Sequence, residues 1–168
     1  DPSITCPGPL TFECYADVDA PYADWTAFVA AGGSGSDNCG LDETTFTMVS
    51  QTLDGNNCPQ TITRVYQVAD SCGNTAQCSQ TITVNDITDP SITCPGPLTF
   101  ECYADVDAPY ADWTAFVAAG GSGSDNCGLD ETTFTMVSQT LDGNNCPQTI
   151  TRVYQVADSC GNTAQCSQ

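Results

Sequence analysis

The chain has 168 residues, of which 21 are Asp or Glu, two are Arg and none is Lys or His, giving a formal net charge of −19. Two cations cannot form the basic footprint of a nucleic-acid or anionic-membrane surface, and no apolar run approaches the roughly 20 residues of a spanning helix. Without imidazole or amine side chains, the commonest general bases, Schiff-base lysines and histidine metal ligands are all missing.

From the start of the chain, Ser3 to Cys6 is a short β-prone run that Pro7-Gly8-Pro9 kinks, and Leu10 to Cys14 resumes it. Prolines inside such a run indicate an edge strand. Tyr15 to Pro21 is an acidic loop, and Asp24 can cap a short helix over Trp25 to Ala31 that Gly32-Gly33 ends. Trp25 and Phe28, three apart, face the core of that prediction. Gly33 to Gly40 reads as a loop. Thr44 to Leu53 alternates as a strand, and Asp54-Gly55-Asn56-Asn57 turns it back. Thr61 to Ala69 is the return strand, Asp70-Ser71-Cys72-Gly73-Asn74 turns again, and Ala76 to Val84 is the last strand. Several short strands, Gly/Asn turns and one short helix predict an all-β antiparallel sandwich.

The same run then begins again. Asp89 to Pro97 repeats Asp1 to Pro9, and every later residue matches its partner until Gln168, the copy of Gln80. Residues 1–88 are therefore one unit, and 89–168 an identical second unit whose last strand, Thr81 to Val84 in the first copy, is missing. Perfect identity and an end in mid-strand point to a window cut from a longer uniform array. A strand supplied by another subunit is a further way to complete the second copy.

Each unit carries six of the 12 Cys. The paired C-x₂₋₄-C knuckles of zinc sites do not occur, so the even, dense set reads as disulfides formed in an oxidising compartment. Ile4-Thr5-Cys6-Pro7, Asp70-Ser71-Cys72-Gly73-Asn74 and Cys78-Ser79-Gln80-Thr81-Ile82-Thr83-Val84 resemble the hyalin repeat (HYR) module. Asp37-Asn38-Cys39-Gly40 and Arg64-Val65-Tyr66 resemble HYR-like repeats of secreted and surface proteins of Bacteroidota-type bacteria. The resemblance covers the whole unit and both copies. It implies an immunoglobulin-like sandwich used as a tandem extracellular module, often in adhesins and not in catalysis. Six Cys per unit exceeds the family's usual number.

Six Cys permit 15 connectivities. The predicted topology suggests Cys6–Cys78, a pair the resemblance also supports, with Cys14–Cys58 and Cys39–Cys72. In the second unit these become Cys94–Cys166, Cys102–Cys146 and Cys127–Cys160. The rival reading has one pair crossing between units or chains.

The acidic excess has two readings, a solvated face or bound Ca2+, which takes six to eight oxygens. For Ca2+ the candidate ligands are Asn85, Asp86 and Asp89 at the junction, with Glu101, Asp105 and Asp107 from the next unit. No EF-hand loop accompanies them. Asp17 and Asp19 are read as solvent-facing rather than catalytic, and Arg64 and Arg152 as partners in structural ion pairs. The sequence therefore predicts a non-enzyme: a disulfide-stapled stalk or filament at the bacterial cell surface, self-assembling through neighbouring identical repeats. The alternative is a glycan- or protein-binding adhesion module in which Tyr15 and Tyr22, beside Trp25, stack on a ligand.

Overall fold

A computed structural model describes residues 1–168, which divide into two compact units, Asp1–Asp86 and Ile87–Gln168. The first contains β1 (Ser3–Thr5), β2 (Leu10–Phe12), a 3-10 turn (Tyr15–Asp17), α1 (Trp25–Ala30), β3 (Ser34–Ser36), β4 (Leu41–Leu53), β5 (Gln60–Asp70) and β6 (Thr75–Val84). The alternating run at 44–53, the return run at 61–69 and the final run at 76–84 thus become the long strands.

The Pro7-Gly8-Pro9 kink divides the first predicted strand between two sheets. β1 pairs antiparallel with β3, while β2 lies at the edge of a four-stranded sheet ordered β2-β6-β5-β4. An edge is where prolines next to a strand are tolerated, because a missing amide there breaks no ladder. β2 runs parallel to β6, with Leu10, Thr11 and Phe12 opposite Ile82, Thr83 and Val84. β6 pairs antiparallel with β5 over its whole length, Gln60 facing Val84 at one end and Ala69 facing Thr75 at the other. The sheet is therefore mixed, where the sequence predicted an antiparallel one.

β3 is a second departure, since Gly33 to Gly40 reads as a loop. Its Ser-Gly-Ser sequence has no apolar alternation, and it pairs because Gly35 lets two chains and a ring close up. A Cβ on Gly35 would lie 2.6 Å from the Ser3 carbonyl oxygen and 2.9 Å from Trp25 Cη2. Close backbone approach of this kind is a standard reason for glycine in a strand.

α1 starts as expected, with the Asp24 carboxylate accepting from the Ala27 amide at 2.8 Å. Capping satisfies an amide that has no partner inside the helix. The helix drops Trp25 and Phe28 onto the strands, where they join Phe46, Tyr66 and Val68 in an aromatic core. Phe28 and Phe46 rings lie 4.8 Å apart, and Phe46 stacks on Tyr66 at 5.6 Å. Such ring pairs add to the stabilisation from apolar burial. A separate cluster of Ile62, Ile82 and Val84, flanked by Leu10, Phe12 and Val18, fills the other end of the unit. It depends on β6, which supplies two of its three buried members.

The second unit repeats the first core with Trp113, Phe116, Phe134, Tyr154 and Val156. Its elements are β7 (Ser91–Thr93), a 3-10 turn (Tyr103–Asp105), α2 (Trp113–Ala118), β8 (Ser122–Ser124), β9 (Leu129–Leu141), β10 (Ile150–Asp158) and β11 (Thr163–Ser167). β7 pairs with β8, and the larger sheet has the order β11-β10-β9. No strand forms at 98–100, where the first unit has β2, and β10 begins two residues later than β5 does in the copy.

Candidate functional site

Four disulfides are formed. Cys6–Cys78 and Cys94–Cys166 each join the start of a unit to its last strand, with Cα atoms 5.5 Å apart and a sequence separation of 72. Cys14, Cys58, Cys127 and Cys160 are also disulfide-bonded. Cys39, Cys72, Cys102 and Cys146 are exposed thiols, so the expected Cys39–Cys72 and Cys102–Cys146 bonds are not closed. Residues 98–100, which lead to Cys102, form no strand, whereas their counterparts 10–12 form β2 and lead to the bonded Cys14. In the first unit, Asn85 beyond β6 donates its amide to the Phe12 carbonyl at 2.9 Å, and its side-chain oxygen lies 3.4 Å from Cys58 Sγ. Nothing in the structure accounts for the open state of Cys39 and Cys72, whose counterparts Cys127 and Cys160 are bonded.

Arg64 does not form the ion pair read from the sequence. It is buried, and its Nε donates to Gln51 Oε1 at 2.8 Å and its Nη2 to the Asp19 carbonyl at 2.7 Å. Arg152 repeats both bonds, to Gln139 Oε1 at 2.8 Å and to the Asp107 carbonyl at 2.6 Å. A guanidinium has five donors in a planar fork, and here the fork clamps the acidic loop to the sheet through neutral oxygens.

The aromatic ligand pair is divided. Tyr15 is 53% exposed on its 3-10 turn. Tyr22 is packed into the core, its ring 5.4 Å from Tyr66 and 5.8 Å from Phe28, and its hydroxyl accepts from Gln80 Nε2 at 3.2 Å. Trp25 stacks on Phe28 at 5.3 Å and is buried. Trp25 is thus part of the core, and Tyr22 is half-buried with its ring against that core.

Of the calcium candidates, Asn85 follows β6 and makes the contacts above, and Asp86 closes the first unit. Asp89, Glu101 and Asp105 are exposed in the second unit, and Asp107 gives its carbonyl to Arg152. No three of Asp89, Glu101, Asp105 and Asp107 bring their carboxylates within ion-binding distance of one another.

Asp70 shows how acid groups are used inside a unit. Its carboxylate accepts from the Asn74 side chain at 2.8 Å and from the Cys72 and Asn74 amides at 2.8 and 2.9 Å. The Asn74 side-chain bond first, then the two amides, hold its pKa below the ordinary 3.8. Asp54 is lowered likewise by the amides of Thr61 and Asn56. These are turn-building carboxylates, not acids poised for proton transfer.

One concave feature lies wholly in the second unit. It is a cleft of about 500 Å³ between Pro97–Tyr103 on one side and Asn145–Arg152 on the other, closed at one end by Gln168. Residues 81–84 fill the matching place in the first unit.

Comparison with models of known protein families finds no match, and comparison with curated proteins finds none either.

Proposed function

We propose that the chain is a non-catalytic spacer, a pair of disulfide-stapled β-units that transmit length and tension in an extracellular fibre or adhesin stalk. The observation that carries this reading is the position of the Cys6–Cys78 and Cys94–Cys166 bonds, which span 72 residues each. Each bond ties the first strand of a unit to its last. Tension entering near residue 1 and leaving near residue 86 passes across the bond, and the enclosed residues cannot be drawn out. A globular binding module gains nothing from this placement, whereas a load-bearing link does. The resemblance to hyalin repeats, the even cysteine set and the identity of the two units agree with it. No helix is long and apolar enough to cross a membrane. Repetition of identical surfaces also favours assembly with neighbouring repeats.

Single-molecule stretching tests the reading. Oxidised, each unit gains only the slack outside its bond. Reduced, it releases a further 72 residues, about 250 Å at roughly 3.5 Å per residue. Equal extension in both states refutes the load-bearing role. Ca2+ enters this proposal only through the acidic sequence at 85–90. A melting temperature unchanged by chelator removes it.

A further inference from the structure

Cys39 and Cys72 lie just beyond one end of a strand ladder. β4 and β5 pair antiparallel with Leu41 opposite Asp70, and the same register carried two residues further sets Cys39 against Cys72. Each cysteine is held by a carboxylate two residues before it. Asp37 Oδ2 accepts from the Cys39 amide at 2.7 Å, and Asp70 Oδ1 from the Cys72 amide at 2.8 Å. The second unit builds the same frame. Leu129 lies opposite Asp158, and the Cys127 and Cys160 amides donate to Asp125 and Asp158, each at 2.8 Å. There both sulfurs are bonded, whereas Cys39 and Cys72 are exposed thiols. The frame is the same in both states, so the carboxylates and the ladder hold it without help from the sulfur bridge. Cys6 and Cys78 differ, because they pack against the aromatic core, and Cys39 and Cys72 stand outside it.

We propose that Cys39–Cys72, with its copy Cys127–Cys160, is a reversible dithiol–disulfide site that exchanges with small cationic disulfides while the rest of the unit stays folded. Closure runs in two steps. One protein thiolate attacks a sulfur of the small disulfide, forming a mixed disulfide and releasing one small thiol. The neighbouring thiolate then attacks the protein sulfur of that adduct, closing the protein disulfide and releasing the second small thiol. Two protein thiols are oxidised and one small disulfide is reduced, the protons passing through water to the released thiols; the reverse opens the pair. Exposure makes the first step accessible, and the register makes the second intramolecular. Charge selects the reagent. Asp37, Asp42, Glu43 and Asp70 lie within four residues of one cysteine or the other, on a chain of net charge −19 without Lys. A field of one sign concentrates small ions of the opposite sign and raises their encounter rate. The exchange concerns these sulfurs alone and does not rest on the tension-bearing reading.

The test uses the full chain carrying Cys102→Ser and Cys146→Ser, which removes the other exposed thiols. It is equilibrated with cystamine and cysteamine over a series of ratios, quenched by alkylation and mapped by mass spectrometry. The Cys39–Cys72 and Cys127–Cys160 pairs, identical in sequence, should open and close together. They should do so at ratios that leave Cys6–Cys78 and Cys94–Cys166 closed and the far-ultraviolet circular dichroism unchanged. With Cys39→Ser added, Cys72 should stop at the mixed disulfide, because the second step has lost its nucleophile. At low salt, cystamine should close the pair at least about tenfold faster than anionic oxidised glutathione. In about 1 M salt, where charges are screened beyond about 3 Å, the two rates should come within about threefold. Four results overturn the proposal: chain-to-chain dimers or lasting adducts in place of closure, opening of Cys6–Cys78 at the same ratio, loss of the circular dichroism on opening, or a cystamine preference that is absent or that salt does not reduce.

Discussion

The two units allow a stability experiment with its own control. Ile62 and Ile150 are the same residue in the same local sequence, yet Ile62 is 1% exposed between Ile82 and Val84, and Ile150 lines an open cleft. Truncating a fully buried Ile to Ala costs about 2–5 kcal/mol, the sum of lost transfer energy and the cavity left behind. At Ile150 the side chain is half in water already and the cleft walls can relax, so the loss should be about 1 kcal/mol or less. Guanidinium unfolding, followed by tryptophan fluorescence, reads both units because each has one Trp, Trp25 or Trp113. With a slope of about 3 kcal/mol per molar, Ile62→Ala should lower the midpoint of one transition by about 1 M. Ile150→Ala should shift the other by about 0.3 M or less. Equal shifts would refute the claim that residues 81–84 make the difference between the units.

Other outcomes follow from single contacts. Gly35→Ala should destabilise the first unit by about 1–3 kcal/mol in chemical denaturation, because the new methyl meets a backbone oxygen that cannot swing away. Asp24→Ala should cost about 1 kcal/mol by removing the helix cap, and Asp24→Asn should restore most of it. The lowered pKa of Asp70 gives stability that is full above its ordinary value of 3.8 and lost as pH falls through the lowered one. Thermal melts between about pH 5 and about pH 2 should therefore flatten in Asp70→Asn relative to the parent protein. An unchanged slope would mean that the Asn74 bonds do not set that carboxylate's affinity for protons.

The long strands and the helix were legible because their signals are local. The alternation at 44–53 and 61–69, the Asp-Gly turn at 54–55 and the Asp24 cap each depend on neighbours a few residues away. β3 was not, because Ser34-Gly35-Ser36 carries no pattern and is defined by what Trp25 and Ser3 do from a distance. The parallel partnership of β2 and β6 was hidden for the same reason, since strand order has no local code. Arg64 misled in another way. Among 21 acidic residues an ion pair is the natural expectation, but the side chain is placed by the sheet, and its neighbours there are the Gln51 amide and the Asp19 carbonyl. The role of Tyr22 had no local signal, because a tyrosine beside a helix start serves equally well against the core, where the structure places one side of its ring. The thiol pattern was not legible, because Cys39 and Cys72 are open while the identical Cys127 and Cys160 are bonded.

The parallel pairing of β2 with β6 joins residues 10–12 to residues 82–84. A chain emerging from a ribosome or an export pore with its N-terminus first must therefore hold its second strand waiting through almost a whole unit of synthesis. Contacts this distant in sequence slow folding. During that wait Cys6 also has no partner, because Cys78 arrives only with the last strand. The first unit is thus completed only when its last strand arrives, and Cys6 is oxidised no earlier than that.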